Sequence, residues 1–210
     1  MNDPGSQELP ILTARELKKE LEEAGSKWPV DAIVTDRAVL AQVSRPTTWA
    51  EVQELGLIPR LMQLLNRGWC PSVGYAAIQI GVPVRMALYV PARIDYGKSK
   101  EPVVLVNPEI VSKKYIVPFH KEGCMSIPNQ RQATWRYNEV TYTIEKPDGK
   151  RSEPITVQGF TAAVIQHEVD HMDGILNLQR VTKPAQPGVN DRCGCGSGKK
   201  FKRCCARKVE

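Results

Sequence analysis

Apolar residues along the chain change their period near Gly68. Before it they recur at helical spacing. Thr13 and Glu16 form a capping box ahead of a charged segment carrying Leu17, Leu21 and Ala24, which predicts a helix with a thin apolar face that packs on the body of the protein. Thr48 and Glu51 form a second box. Val52, Leu55, Leu61, Met62 and Leu65 follow close to a 3.6-residue period, so one helix is expected there despite Gly56 and Pro59. After Gly68 the pattern shortens into β-like runs over 84–90 and 103–111, separated by Pro, Gly and Asp. Val140, Tyr142 and Ile144 alternate into Asp148-Gly149, a strong hairpin signal, and a mixed sheet is expected. A last long helix should run from near Phe160 to Gly174, which stands where a left-handed cap residue belongs. Residues 183–190, with two prolines and a glycine, read as a linker.

A chain of 210 residues, 41% hydrophobic and 25% charged, suits one compact domain with extensions. No apolar run approaches the roughly 18 to 20 residues of a membrane helix, and Asp3, Glu8 and Pro10 do not make an export signal, so no membrane partner and a cytoplasmic location are expected. Four of the six cysteines (Cys193, Cys195, Cys204 and Cys205) crowd into the last 18 residues, a spacing that suits a metal better than disulfides. Most of the net charge of +6 lies there too: from Asp191 to Glu210 seven basic residues face two acidic ones. A basic end attracts an anionic partner such as RNA, or simply keeps the chain soluble; no DNA partner is expected.

His167-Glu168-Val169-Asp170-His171 is an HExxH pattern. Residues four apart on a helix lie one above the other, so both imidazoles can reach one ion, and Glu168 falls beside them where it can take a proton from water. Two histidines sharing a helix face can also be plain packing. Against that, the pattern should arise by chance in fewer than roughly one chain in a hundred of this size. Phe160, Ala163, Val164, His167 and His171 also share one stripe, which carries the imidazoles inward, where they need a partner. Catalytic sites hold three protein ligands and leave a position for water. Downstream of the helix the candidates are Asp173 and Gln179. Upstream, Glu122-Gly123-Cys124-Met125-Ser126 offers the Cys124 thiolate behind a glycine that lets the backbone come close.

These segments resemble the peptide deformylase family. Glu122 to Ser126 continues into Ile127-Pro128, and Gln166 to Asp173 into Gly174-Ile175-Leu176, in the family's order. Ser72-Val73-Gly74-Tyr75-Ala76-Ala77-Ile78-Gln79 is similar to the family's first signature, Gly-x-Gly-x-Ala-Ala-Pro-Gln, but departs from it at Ser72 and Ile78. The likeness runs over about 33–180. It implies an α+β fold with mixed or antiparallel sheets around a central HExxH helix, forming a catalytic body over 28–182 behind a helical extension, 1–27. The implied activity is removal of the N-formyl group from the N-terminal methionine of nascent chains. Cys124, His167 and His171 would hold one divalent metal, ferrous iron in the cell, with zinc, nickel or cobalt able to replace it. Glu168 would be general base for the metal-bound water that attacks the formyl carbonyl, and Gln79 with the Met125 N–H would face the charge growing on its oxygen. Val73 and Gly74 would align the substrate as an added strand, and Ala163, Val164 and His167 would wall the methionine pocket. Glu122, counted with the substrate-binding residues, would also pair with Arg136 behind the site, and Arg131 would meet the peptide further along.

Beyond the linker, Cys193-Gly-Cys195 and Cys204-Cys205 enclose a glycine-rich spacer, and the segment 191–210 resembles the SEC-C motif. That resemblance implies a small zinc knuckle, one structural zinc on four thiolates, and a docking role, with the ribosome as a partner for its basic face. Two other functions stay open on the residues. One is an amidase for another N-acyl group, suggested by Ser72, Ile78 and the small Ala163. The other is a non-catalytic adaptor, which the intact set Gln79, Cys124, His167, Glu168 and His171 opposes. Cys70 and His120 receive no role.

Overall fold

The apolar stretch around Thr48 breaks into two helices at a glycine. In the computed structural model, which describes residues 31–66, 72–91, 101–183, 188–193 and 198–204, α1 (Arg37–Leu40) is followed by α2 (Trp49–Glu54) and α3 (Leu57–Leu65). The single helix expected here is therefore corrected: Gly56 takes φ 58°, a left-handed value that ends α2 and starts α3 on a new axis. Only half of the expected capping box forms. Thr48 Oγ1 accepts from Glu51 N at 3.2 Å, but the Glu51 carboxylate turns away to Thr47 Oγ1 at 2.7 Å and to Arg45. The helix expected over the first 27 residues, and Cys70, lie outside the described residues.

The first sheet has order β1 (Gly74–Ala76), β2 (Met86–Tyr89), β3 (Val103–Val106), all antiparallel, and each residue of the three strands is buried. Side chains alternate between its faces. Tyr75, Met86, Leu88, Val104 and Val106 pack with α2 and α3, while Ala76, Ala87, Tyr89, Val103 and Leu105 join a second cluster on the other side. A strand buried on both faces reads as a continuous apolar run, which is why 84–90 and 103–111 stood out. The second run ends early, at Asn107 (φ 46°) and Pro108.

Beyond that corner β4 (Glu109–Cys124) and β5 (Ile127–Thr143) form a long ribbon, and β6 (Ile155–Gln158) completes an antiparallel sheet β4-β5-β6. The mixed sheet is thus corrected as well: among the described residues parallel pairing is confined to the isolated bridge Arg45–Val84. The Asp148-Gly149 turn forms as expected, with Gly149 at φ 76° and Lys146 N–H donating to Lys150 O at 2.8 Å.

Helix α4 (Gly159–Met172) carries the HExxH residues and lies in the second cluster, where Ala162, Ile165, Val169 and Met172 meet Leu105, Val140, Tyr142 and Ile144. Gly174 caps it at φ 70°, with Ile175 N–H on Asp170 O at 2.8 Å and Gly174 N–H on His171 O at 3.3 Å. A Cβ at Gly174 would stand 2.4 Å from the Ala41 carbonyl oxygen, so close approach as well as φ demands glycine. The inward stripe is corrected at one end: Phe160 is 42% exposed and stacks on Phe119 at 5.5 Å, whereas Ala163, Val164 and His171 are buried.

Candidate metal centre

Three donor side chains from two elements converge. α4 presents His167 and His171 one turn apart, their rings edge to face with centroids 4.8 Å apart. β4 ends at Cys124, where a tight turn through Met125 and Ser126 starts β5. The ligand atoms of Cys124, His167 and His171 all lie within 4.8 Å of one another, and Cys124 Sγ is 3.3 Å from His171 Nε2. A thiol and two imidazoles this close, in a largely buried place, fit a divalent transition metal.

His167 is held from behind, whereas the Nδ1 of His171 is buried without a hydrogen-bond partner among the described residues. Between Phe119 and Glu122 the ribbon carries a bulge, three steps on β4 against two on β5, with Lys121 at φ 60°. Glu122 beyond it is buried. Its Oε1 meets His167 Nδ1 at 2.7 Å, which leaves Nε2 to face Cys124. Glu122 also accepts from Thr134 Oγ1 at 2.5 Å, from Arg136 Nε at 2.9 Å and from Arg136 Nη2 at 2.6 Å. Arg136, itself buried, donates its other nitrogen to Asp170, and Arg180 closes on Asp170 at 3.0 Å and 2.5 Å. Burial alone would raise the Glu122 carboxyl; the bonds from Arg136 and His167 outweigh it and hold it well below the usual carboxylate range. Burial pulls His171 below its ordinary value. For His167 burial acts the same way, but Cys124 and Glu122 outweigh it and raise the imidazole.

Gln79 follows β1 in a tight 3₁₀ turn, Ala77–Ile80. Its Oε1 accepts from Ala76 N–H at 3.0 Å, so its Nε2 points to Ser126 Oγ at 3.1 Å and to Cys124 Sγ at 3.7 Å. Glu168 is buried, and its Oε1 presses on β1: a Cβ built at Gly74 would stand 2.7 Å from it. Burial, offset in part by His167 and Arg136, pushes the Glu168 carboxyl up to about 7. A carboxyl in that range can accept and return a proton near neutral pH.

The structure thus brings Gly74, Gln79, Glu122, Cys124, His167, Glu168 and His171 to one place. Val73 is half-buried beside the second cluster and Met125 beside the first. Arg131 is exposed and its side chain lies along Gly123. Ile78, where the family pattern has proline, is fully buried, a packing residue. Asp170, Arg180, Thr134 and Ser126 were not foreseen. Thr134 and Arg136 extend the inward alternation of Val140 and Tyr142 on β5, a signal hidden because they are polar. Arg136, Asp170 and Arg180 also line a cleft of about 310 Å³ that none of the three metal donors reaches. In the tail an isolated antiparallel backbone bridge joins Arg192 to Lys200, and Cys193 N–H donates to Lys199 O at 2.7 Å; Cys193 is buried, Cys204 is half-buried, and Cys195 and Cys205 lie outside the described residues. No helix among the described residues is long and apolar enough to cross a membrane.

Comparison with known proteins adds a family. Residues 30–187 match the polypeptide deformylase model, and residues 190–207 the SEC-C motif. The peptide deformylase of Agrobacterium fabrum is 33% identical over 151 residues, covering 72% of this chain and 86% of that one. A peptide deformylase crystal structure from Legionella pneumophila superposes with TM-score 0.63 at 31% identity, over 73% of this chain and 87% of that one. A class I type b peptide deformylase from Acinetobacter baumannii, solved with Met-Ala-Ser bound, gives TM-score 0.63 at 26% identity, over 73% and 99%.

Proposed function

The chain belongs to the polypeptide deformylase family, whose members are metal-dependent hydrolases, and from that premise we propose that it removes the formyl group from the N-terminal methionine of nascent chains. The observation that carries this reading is the buried Glu168 carboxylate, next in sequence to the donor His167 and pressed against Gly74 of β1, with Cys124, His167 and His171 converging as donors. Those three side chains would hold the metal, ferrous iron in the cell, replaceable by zinc, nickel or cobalt. When bound, it supplies Lewis acidity, lowering the pKa of water and polarising a carbonyl oxygen.

The remaining steps belong to this chain's own groups. Glu168 takes a proton from the attacking water and returns it to the leaving amine nitrogen, so that the formyl C–N bond breaks as formate and a free N-terminus form. The Gln79 amide, fixed by Ala76 and Ser126, and the Met125 N–H face the negative charge growing on the formyl oxygen. Val73 and Gly74 on the outer strand of the first sheet align the peptide backbone as an added strand, Ala163 and Val164 wall the methionine pocket, and Arg131 meets the peptide further along. Glu122, through His167 and Arg136, keeps the donor set in place.

The catalytic body spans 28–182, with α4 at its centre, and a linker, 183–190, leads to a zinc knuckle over 191–210 on Cys193, Cys195, Cys204 and Cys205; residues 1–27 are an extension. The basic knuckle docks the enzyme at the ribosome in the cytoplasm, and deleting 190–210 should abolish co-sedimentation with ribosomes; unchanged co-sedimentation would remove that role. The catalytic reading is tested by hydrolysis of formyl-Met-Ala-Ser by the iron-loaded protein beside Glu168→Ala. Turnover in the parent, lost by about 10²- to 10⁴-fold in the variant at equal metal content, is the expected result; a fully metallated parent that leaves the peptide intact would refute it.

A further inference from the structure

Ser72 stands where the deformylase pattern has glycine, and its hydroxyl has a definite occupation. β1 is the outer strand of its sheet and is hydrogen-bonded on one side to β2. The Val73 carbonyl accepts from Val90 N–H at 2.9 Å. Strand alternation then turns the N–H and C=O of Gly74 to the opposite, outer edge. Ala76, two residues on, obeys the same alternation: its N–H leaves the sheet and meets Gln79 Oε1 at 3.0 Å. At Gly74 the outward carbonyl accepts the Ser72 hydroxyl at 3.0 Å. The same glycine is the one against which Glu168 Oε1 presses.

We propose that Ser72 guards the strand edge beside the active-site base: its hydroxyl holds the Gly74 carbonyl, and an extended peptide adding to β1 must compete with it for that acceptor. The proposal rests on the strand-addition reading given above. A carbonyl oxygen has two lone pairs, but an edge carbonyl offers an incoming strand one in-plane direction of good geometry. A glycine at 72 has no group to place there. Ser72 is therefore a positioning residue that weakens peptide binding without touching the reacting atoms. Exchanging one neutral hydrogen bond for another is worth about fivefold in affinity.

The test uses the metal-loaded full chain, with Ser72→Ala and Ser72→Thr beside the parent. Two probes are titrated by calorimetry: Met-Ala-Ser, which has a backbone to lay along β1, and acetohydroxamate, which seeks the metal and has none. Ser72→Ala should bind Met-Ala-Ser about fivefold more tightly, Ser72→Thr should return to the parental value because it keeps the hydroxyl, and acetohydroxamate should bind all three alike. In turnover of formyl-Met-Ala-Ser, KM should fall in Ser72→Ala while kcat stays. Equal Met-Ala-Ser affinity in parent and alanine variant, no Met-Ala-Ser binding at all, a parallel shift for both probes, or a change confined to kcat would each overturn the proposal. A protein that fails to turn over formyl-Met-Ala-Ser, yet binds Met-Ala-Ser more tightly as Ser72→Ala, would remove the deformylase reading and keep this one.

Discussion

The two sheets solve opposite problems. In β1–β3 every residue is buried and nearly all are apolar, so the sheet is stable by packing on both faces. The ribbon β4–β5 is half-open along most of its length, and where it turns inward near the metal donors it buries charge: Glu122 and Arg136, joined by Asp170 from α4. The first sheet lends the site a backbone edge and the Gln79 amide, while the ribbon lends it a ligand and the charged support of another. Rigidity can come from shape alone where nothing polar is needed. Where a thiolate and an imidazole must be held, it comes from hydrogen bonds that close on one another, and these fail as a unit.

That contrast can be broken at four places, from the largest expected effect to the smallest. Arg136→Met leaves Glu122 and Asp170 buried without their shared cation, and urea unfolding should show a loss of about 3–5 kcal/mol together with loss of bound metal. If the loss were under about 1 kcal/mol, the ribbon would not depend on its charges. Leu105→Ala empties a site in the first sheet and should cost about 3 kcal/mol, while the folded fraction keeps parental turnover and metal content. Gly74→Ala forces a methyl against Glu168 Oε1 and the Leu88 carbonyl. Turnover should fall at least about tenfold, equivalent to about 1.4 kcal/mol of barrier, with the unfolding midpoint little changed. Smallest is Glu51→Ala, which removes the half-buried partner of the exposed Arg45; unfolding should shift by less than about 1 kcal/mol, because water screens such a pair.

Much of the site was legible beforehand for a simple reason: four-residue spacing on a helix dictates that His167 and His171 share a face, whatever surrounds them. Cys124 needed more, a resemblance across the chain, since nothing local says that the end of a ribbon meets the middle of a helix. The Glu122–Arg136 pair follows from the same resemblance, but nothing in the HExxH pattern assigns a role to Asp170, the second anchor of Arg136. The continuous apolar runs of β2 and β3 announced themselves, whereas the ribbon was missed as a long element because Lys113, Lys114, His120 and Lys121 interrupt its apolar alternation. Gly56 was read as tolerated within a helix, since composition cannot reveal the sign of φ.

What this sequence determined by itself is local: helix periodicity, the cap at Gly174, the Asp148-Gly149 turn and the histidine pair all follow from residues within one or two turns of each other. The tertiary structure alone decided that Glu168 would rest on Gly74, and that Arg180 would reach back through Asp170 and Arg136 to Glu122 and His167. These contacts join residues brought together only by packing the ribbon and α4 against the first sheet, and a buried charge is tolerable only once its distant partners have arrived.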